Sequence, residues 1–229
     1  MTDGVDGRAG VELAALVRVV EALLADEGGC EWNRAQTAES LVTYLVEESS
    51  ELVEAIESGT PADRREELGD VLYQVVLHAA IAARAPGEGF DLADVVRDVA
   101  AKTVRRHPHV FADDEAADVD DIVRLWSAAK AQEKADRRSA YDGVPLGLPA
   151  LARAQKVESR RRSAGQVTPP AASVDGALDA EPDVELAWGR ELLARVDAAT
   201  AEGLDAERAL RRAVREREQQ LRSGEAPRP

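Results

Sequence analysis

The sequence predicts an all-α fold: a bundle of four or five helices with a short helical appendage towards the C-terminal end. Composition is the first reason. Of 229 residues 45% are hydrophobic but only 3% are aromatic, and Ala, Leu, Val, Glu and Arg dominate, a mixture that favours helix over sheet. Spacing is the second, because apolar residues recur at intervals of three and four, the period of one helix face. The third is punctuation: Gly28-Gly29, Gly59-Thr60-Pro61 and His107-Pro108-His109 fall where the periodic stretches stop.

The first helix is expected over about Val11 to Ala25, with Leu13, Leu16, Val17, Val20 and Leu24 on one face. A loop containing Trp32 follows Gly28-Gly29. Thr37 is a plausible N-cap for a second helix, about Ala38 to Ser58, whose apolar stripe is Leu41, Leu45, Leu52 and Ile56. On that wheel Glu48 falls at the edge of the stripe and Glu51 about 60° further round. The third helix, about Ala62 to Ala85, is apolar nearly all the way round from Val71 to His78, the pattern of a helix buried among neighbours. The fourth runs about Asp91 to Arg106 and the fifth about Val119 to Lys134, carrying Trp126. A last pair is expected over Val184 to Ala199 and Ala206 to Leu221, after a Pro/Gly-rich stretch from Gly165 to Pro182 and before a disordered tail. These readings divide the chain into a first helical module over 1–135, a connecting segment over 136–183 and a second helical module with tail over 184–229.

Two carboxylate clusters stand out, Glu47-Glu48-Ser49-Ser50-Glu51 and Glu67-Leu68-Gly69-Asp70. The short turn between their helices makes them antiparallel, which sets Glu48 and Glu51 opposite Glu67 and Asp70. At about 5 Å and an effective dielectric near 20, each pair of like charges costs roughly 3 kcal/mol. A divalent cation reverses that sign, and hard oxygen ligands suit magnesium.

Charge and cysteine content narrow the classes further. The formal net charge is −15 and the pI near 4.7, so the basic footprint of a nucleic-acid binder is missing. Cys30 is the single cysteine, which excludes an intrachain disulfide and a thiolate zinc cluster. No apolar run approaches the roughly 20 residues that span a bilayer, and the first ten residues lack the pattern of a signal peptide. A cytoplasmic protein is expected, with no nucleic-acid or membrane partner.

The order of motifs resembles the MazG-type, all-alpha nucleoside triphosphate pyrophosphohydrolases. Beside Glu-Glu-x-x-Glu and Glu-x-x-Asp, the resemblance covers Cys30-Glu31-Trp32, Gln36-Thr37, Ser40-Leu41, Tyr44-Leu45, Arg105-Arg106-His107-Pro108-His109-Val110-Phe111, Trp126 with Lys130, and Gly147-Leu148-Pro149-Ala150-Leu151 with Ala154-Gln155-Lys156. It spans about residues 11 to 160. The chain departs from the family at Glu31 and Asn33, where proline and aspartate are usual. The resemblance implies cleavage between the α and β phosphates of a nucleoside triphosphate, giving a monophosphate and pyrophosphate. It also implies Glu48, Glu51, Glu67 and Asp70 as ligands of magnesium, with manganese a possible substitute. The catalytic base stays open between Glu48 and Glu51, and Glu47 is left to orient a ligand or contact substrate. Lys102, Arg105 and Lys130 are candidate phosphate contacts, Trp32 and Trp126 candidate base-stacking rings, and a homodimer is implied.

A non-catalytic nucleotide-sensing or protein-binding bundle would keep the fold without turnover. A di-iron carboxylate bundle needs two Glu-x-x-His motifs, and Val75, Val104 and Arg106 occupy those positions, which discards it. Near the C-terminal end Trp188-Gly189-Arg190 aligns with Leu68-Gly69-Asp70, and Ala187 with Glu67. The second copy is thus expected to lack metal ligands.

Overall fold

The computed structural model describes residues 3–87, 89–134, 137–167 and 183–225, and among these it contains helices and no strand. Positions 168–182 of the Pro/Gly-rich stretch and 226–229 of the tail lie outside the described residues. The chain forms two compact units, 1–132 and 133–229.

The first unit contains α1 (Asp3–Leu23), α2 (Glu31–Arg34), α3 (Val42–Ser58), α4 (Pro61–Arg84), α5 (Leu92–Arg106), α6 (Pro108–Phe111) and α7 (Val119–Gln132). Its most extensive packing joins α3 to α4, and α1 and α5 also lie against α4. Val20, Leu24, Leu41, Val76 and Leu77 form the core, flanked by Leu13, Leu16, Val17, Tyr73, Ile81 and Leu92. Each large core side chain removed from water contributes roughly 1.5–3 kcal/mol.

Several boundaries differ from the sequence reading. The first helix begins at Asp3, eight residues before the apolar face does. Thr37 does not cap α3. Its hydroxyl accepts the Ser40 N–H at 3.2 Å while Ser40 Oγ accepts the Thr37 N–H at 3.0 Å, closing a separate turn, and α3 starts at Val42 behind Leu41. On α3 the residue turned inward is Ala55, 5% exposed, rather than Ile56, 58% exposed. The stripe is therefore Leu41, Leu45, Glu48, Leu52 and Ala55, and Glu48 lies in its middle instead of at its edge.

The turn between α3 and α4 is tight. A Cβ on Gly59 would lie 2.8 Å from the Ala55 Cα and 2.9 Å from its carbonyl oxygen, so no side chain fits. Thr60 then caps α4 in a reciprocal box: the Asp63 N–H donates to Thr60 Oγ1 at 3.3 Å and the Thr60 N–H donates to Asp63 Oδ2 at 2.7 Å, with Pro61 at the first helical position. These bonds hold the Asp63 carboxyl below its usual range. α4 is not buried all round, as its apolar sequence suggests. Val76, Leu77, Ala79 and Ala82 are buried, but Leu68, Leu72 and Val75 are exposed, because its neighbours α1, α3 and α5 leave one side uncovered.

The second unit consists of α8 (Ala150–Ser163), α9 (Val184–Ala201) and α10 (Ala206–Ser223). Thus the stretch read as connecting sequence contains a full helix. Gln155 ties the three together. Its Nε2 donates to Thr200 Oγ1 at 3.1 Å and to the Leu204 carbonyl at 2.8 Å, and its Oε1 accepts the Ala206 N–H at 2.8 Å. Glu158, buried at 6% exposure, accepts from Arg161 and Arg162 at 2.7 Å, and Arg162 reaches the Asp197 carbonyl on α9 at 3.3 Å. The two guanidiniums pull the Glu158 carboxyl down to about 2, while burial, followed by the Glu158 charge, raises that of Asp197.

Candidate functional site

The acids meet where α3 and α4 run antiparallel. Carboxylate oxygens of Glu48, Glu67 and Asp70 lie within 4.8 Å of one another. Glu51, one turn beyond Glu48, lines with Glu67, Asp63, Glu54 and Gly59 an adjoining cavity of about 350 Å³. Glu47 is exposed on α3 and outside the three-residue group. The spacing follows from the hairpin, since Glu51 and Glu67 each stand eight residues from Gly59.

The electrostatics are those of an uncompensated cluster. Among the described residues none of Glu48, Glu51, Glu67 and Asp70 has an ion-pair partner. Glu67 Oε2 is buried without any hydrogen-bond partner. Burial, then the charges of Asp70, Glu51, Glu47 and Glu67, push the Glu48 carboxyl above its usual range. Burial, then Glu51 and Asp70, does the same to Glu67. Further along α4, Gln74 Oε1 and His78 Nε2 are also buried without partners. A cluster of hard oxygens with an orphaned buried carboxylate oxygen fits a divalent cation better than it fits itself.

The basic candidates stand elsewhere in this unit. Lys102 and Arg105 are exposed on α5, which packs on α4, α6 and α7 rather than carrying acids of the cluster. Trp126 on α7 is half-buried, and two cations stand over its ring, Lys130 Nζ at 4.3 Å and the Arg106 guanidinium at 5.4 Å from the centroid. Residues 1–132 hold 12 Lys and Arg against 27 Asp and Glu, so this basic group around the end of α5 is the exception in an acidic unit. Arg106 escaped the sequence reading, although its place one turn from Lys102 was visible.

Trp32 is on α2, 49% exposed, with its ring edge-to-face against Tyr44 at 5.6 Å and 82°. Asn33 beside it is buried and accepts a hydrogen bond from the Tyr73 hydroxyl at 3.3 Å. The departure from aspartate at this position thus keeps an acceptor for Tyr73. His107, read as a turn residue, ends α5 and opens α6, its Nδ1 2.7 Å from the Thr103 carbonyl oxygen.

Acidic clusters on two antiparallel helices, each beside an apolar core, thus gather hard oxygen donors in an all-α fold. Residues 36–111 match the model of the MazG nucleotide pyrophosphohydrolase domain. Over 212 residues the chain is 43% identical to an uncharacterized 26.1 kDa protein of Streptomyces cacaoi, covering 93% of this chain and 83% of that one. It is 38% identical over 157 residues to the nucleoside triphosphate pyrophosphohydrolase of Escherichia coli K12, and 44% identical over 159 residues to the nucleoside triphosphate pyrophosphohydrolase/pyrophosphatase MazG of Thermotoga maritima. These matches cover 67% and 69% of this chain, and the chain spans 59% of each of those two relatives. A crystal structure of a mazG-related protein from Thermotoga maritima aligns at 29% identity and a TM-score of 0.44, over 51% of this chain and 97% of that one. The chain belongs to the MazG nucleotide pyrophosphohydrolase family.

Proposed function

We propose that the protein hydrolyses nucleoside triphosphates, standard or damaged, ribo- or deoxyribo-, to a nucleoside monophosphate and pyrophosphate, with magnesium as its cofactor. The observation that carries this is the meeting of Glu48, Glu67 and Asp70 oxygens within 4.8 Å, with no ion-pair partner among the described residues. Glu48, Glu51, Glu67 and Asp70 would hold the ion, and manganese, another hard cation, would substitute. Bound there, it supplies a Lewis acid for a phosphoryl oxygen and a water of lowered pKa.

The chain's own residues do the rest. Glu48 or Glu51 takes the proton of the attacking water, and Glu47 orients a ligand or contacts substrate. Lys102 and Arg105 grip phosphate oxygens, Arg105 in the bidentate manner of a guanidinium. Lys130, steadied over Trp126, adds a point charge. A homodimer is part of this reading. On α3, Val42, Val46, Val53 and Ile56 form a second, exposed apolar stripe, and on α4 Leu68, Leu72 and Val75 form another; such stripes suit a second copy. Nucleoside triphosphate pools place the reaction in the cytoplasm. Among the described residues no helix is long and apolar enough to cross a membrane.

The test is product analysis with a nucleotide panel in magnesium. Monophosphate and pyrophosphate are expected in equal amounts, abolished by chelator and restored by magnesium or manganese. Orthophosphate and diphosphate as first products would overturn the reading, and tight binding without turnover would mark a nucleotide sensor.

A further inference from the structure

We propose that Tyr44 is a positioning residue of the nucleotide site, holding the Trp32 ring as the seat of the base one helical turn from the metal-type carboxylates. The proposal rests on a nucleotide being the substrate and adds which ring takes its base. Three facts on α3 and α2 carry it.

The first is placement. Tyr44 precedes Glu48 by four residues, which sets it about 6 Å along the axis and about 40° around it, on the face that carries the acids. The second is the ring pair itself. Trp32 and Tyr44 meet edge to face at 5.6 Å, and a T-shaped pair engages one face of one ring and an edge of the other. Both rings remain exposed, Trp32 at 49%, so a flat base has a face to stack on.

The third is the rigidity of the loop beneath. The Trp32 carbonyl accepts from Gln36 Nε2 at 2.8 Å, and Gln36 Oε1 accepts from Ser40 Oγ at 2.6 Å. Buried Asn33 takes the Tyr73 hydroxyl, three residues after Asp70 on α4. Arg34 Nη1 donates to the Asp26 carbonyl at 2.8 Å. The loop is thereby fixed to α4 and to the turn that precedes α3. A stacking surface already ordered loses little freedom when a ligand lands on it. Trp126 differs, because Lys130 and Arg106 stand over its ring.

The experiment uses the full chain. In steady-state assays with ATP and magnesium, Tyr44→Leu should raise KM roughly tenfold, the scale of a lost base–aromatic contact, with kcat within about twofold. Inorganic tripolyphosphate, which lacks a base, should inhibit wild type and Tyr44→Leu alike, and Tyr44→Phe should bring KM back. Separately, the α,β-methylene analogue of ATP, in which the proposed scissile bridge is carbon, should quench tryptophan emission, and Trp32→Phe should lose that quench. Tripolyphosphate inhibition weakening in step with KM would overturn the proposal, as would a quench unchanged in Trp32→Phe. A wild-type enzyme that releases orthophosphate overturns the proposed reaction instead, and the binding arm then still decides the base seat.

Discussion

Glu48 occupies a position where packing alone would favour leucine. It sits between Leu45 and Leu52 on the inward stripe of α3, and burial together with Asp70 raises its proton affinity. For acids whose folded pKa lies above the unfolded value, the folded state binds more protons in the window between the two. Stability from Glu48 and Glu67 is therefore lost as pH rises from the ordinary glutamate range through their raised values. The metal-free protein should melt at lower temperature as pH is raised above the ordinary glutamate range, and magnesium should flatten that trend. Glu48→Gln and Glu67→Gln should flatten it too, melt no lower than the parent, and lose turnover by orders of magnitude. Differential scanning fluorimetry in chelator checks this; a variant that loses activity only by unfolding would assign these acids a structural part. The sequence showed the acids but set Glu48 at the edge of its stripe. Which of Ala55 and Ile56 turns inward depends on packing against α4, and periodicity alone does not resolve neighbours of similar polarity. The Trp32–Tyr44 pair stayed hidden for another reason: twelve residues apart across a loop, they meet only through tertiary structure.

At the scale of elements, the hairpin of α3 and α4 was legible because its turn announces itself. Gly59, the Thr60–Asp63 box and Pro61 are local chemistry. The start of α3 was not, since Thr37 bonds to Ser40 as a cap would but closes a turn. α2 and α6, four residues each, are too short to show a period. The uncovered side of α4 was also missed, because an apolar run does not say which of its residues find neighbours within one chain. Those residues lead to a prediction. Val46→Glu on α3, or Leu72→Glu on α4, should turn a dimer into a monomer in sedimentation, with little change in helical circular dichroism. Unchanged sedimentation in both variants would remove the two stripes from the proposed interface.

For the whole molecule, charge separates the two units. Residues 1–132 carry 27 acids and 12 bases, whereas 133–229 carry 17 of each. Every residue proposed to hold metal or substrate belongs to the first unit. In the second, α9 presents Ala187 and Arg190 where a second copy of the motif would need acids, and among the described residues its buried carboxylate, Glu158, is paired with two arginines. A fragment ending near Gln166 should accordingly keep measurable pyrophosphohydrolase activity, and Glu185→Gln or Glu191→Gln should leave turnover within a few-fold of the parent. Abolished turnover in a folded Glu185→Gln or Glu191→Gln protein would mean that the second unit supplies ligands. The absence of an acidic quartet here is an expectation from the sequence, while the helix at Ala150–Ser163 was obscured by its weak amphipathicity, with Arg160, Arg161 and Arg162 in its last turn.

The tight turn at Gly59 has a consequence in time as well as in space. All four carboxylates lie within the span from Glu48 to Asp70, so bringing them together closes a short stretch of chain at small entropic cost, and contacts of that kind form early. The like charges then oppose the very collapse that the local topology makes quick. A divalent cation present while the hairpin closes removes that opposition. On the proposed reading of these acids as metal ligands, metal supply would act on how fast the nascent chain reaches its fold, before any nucleotide is met.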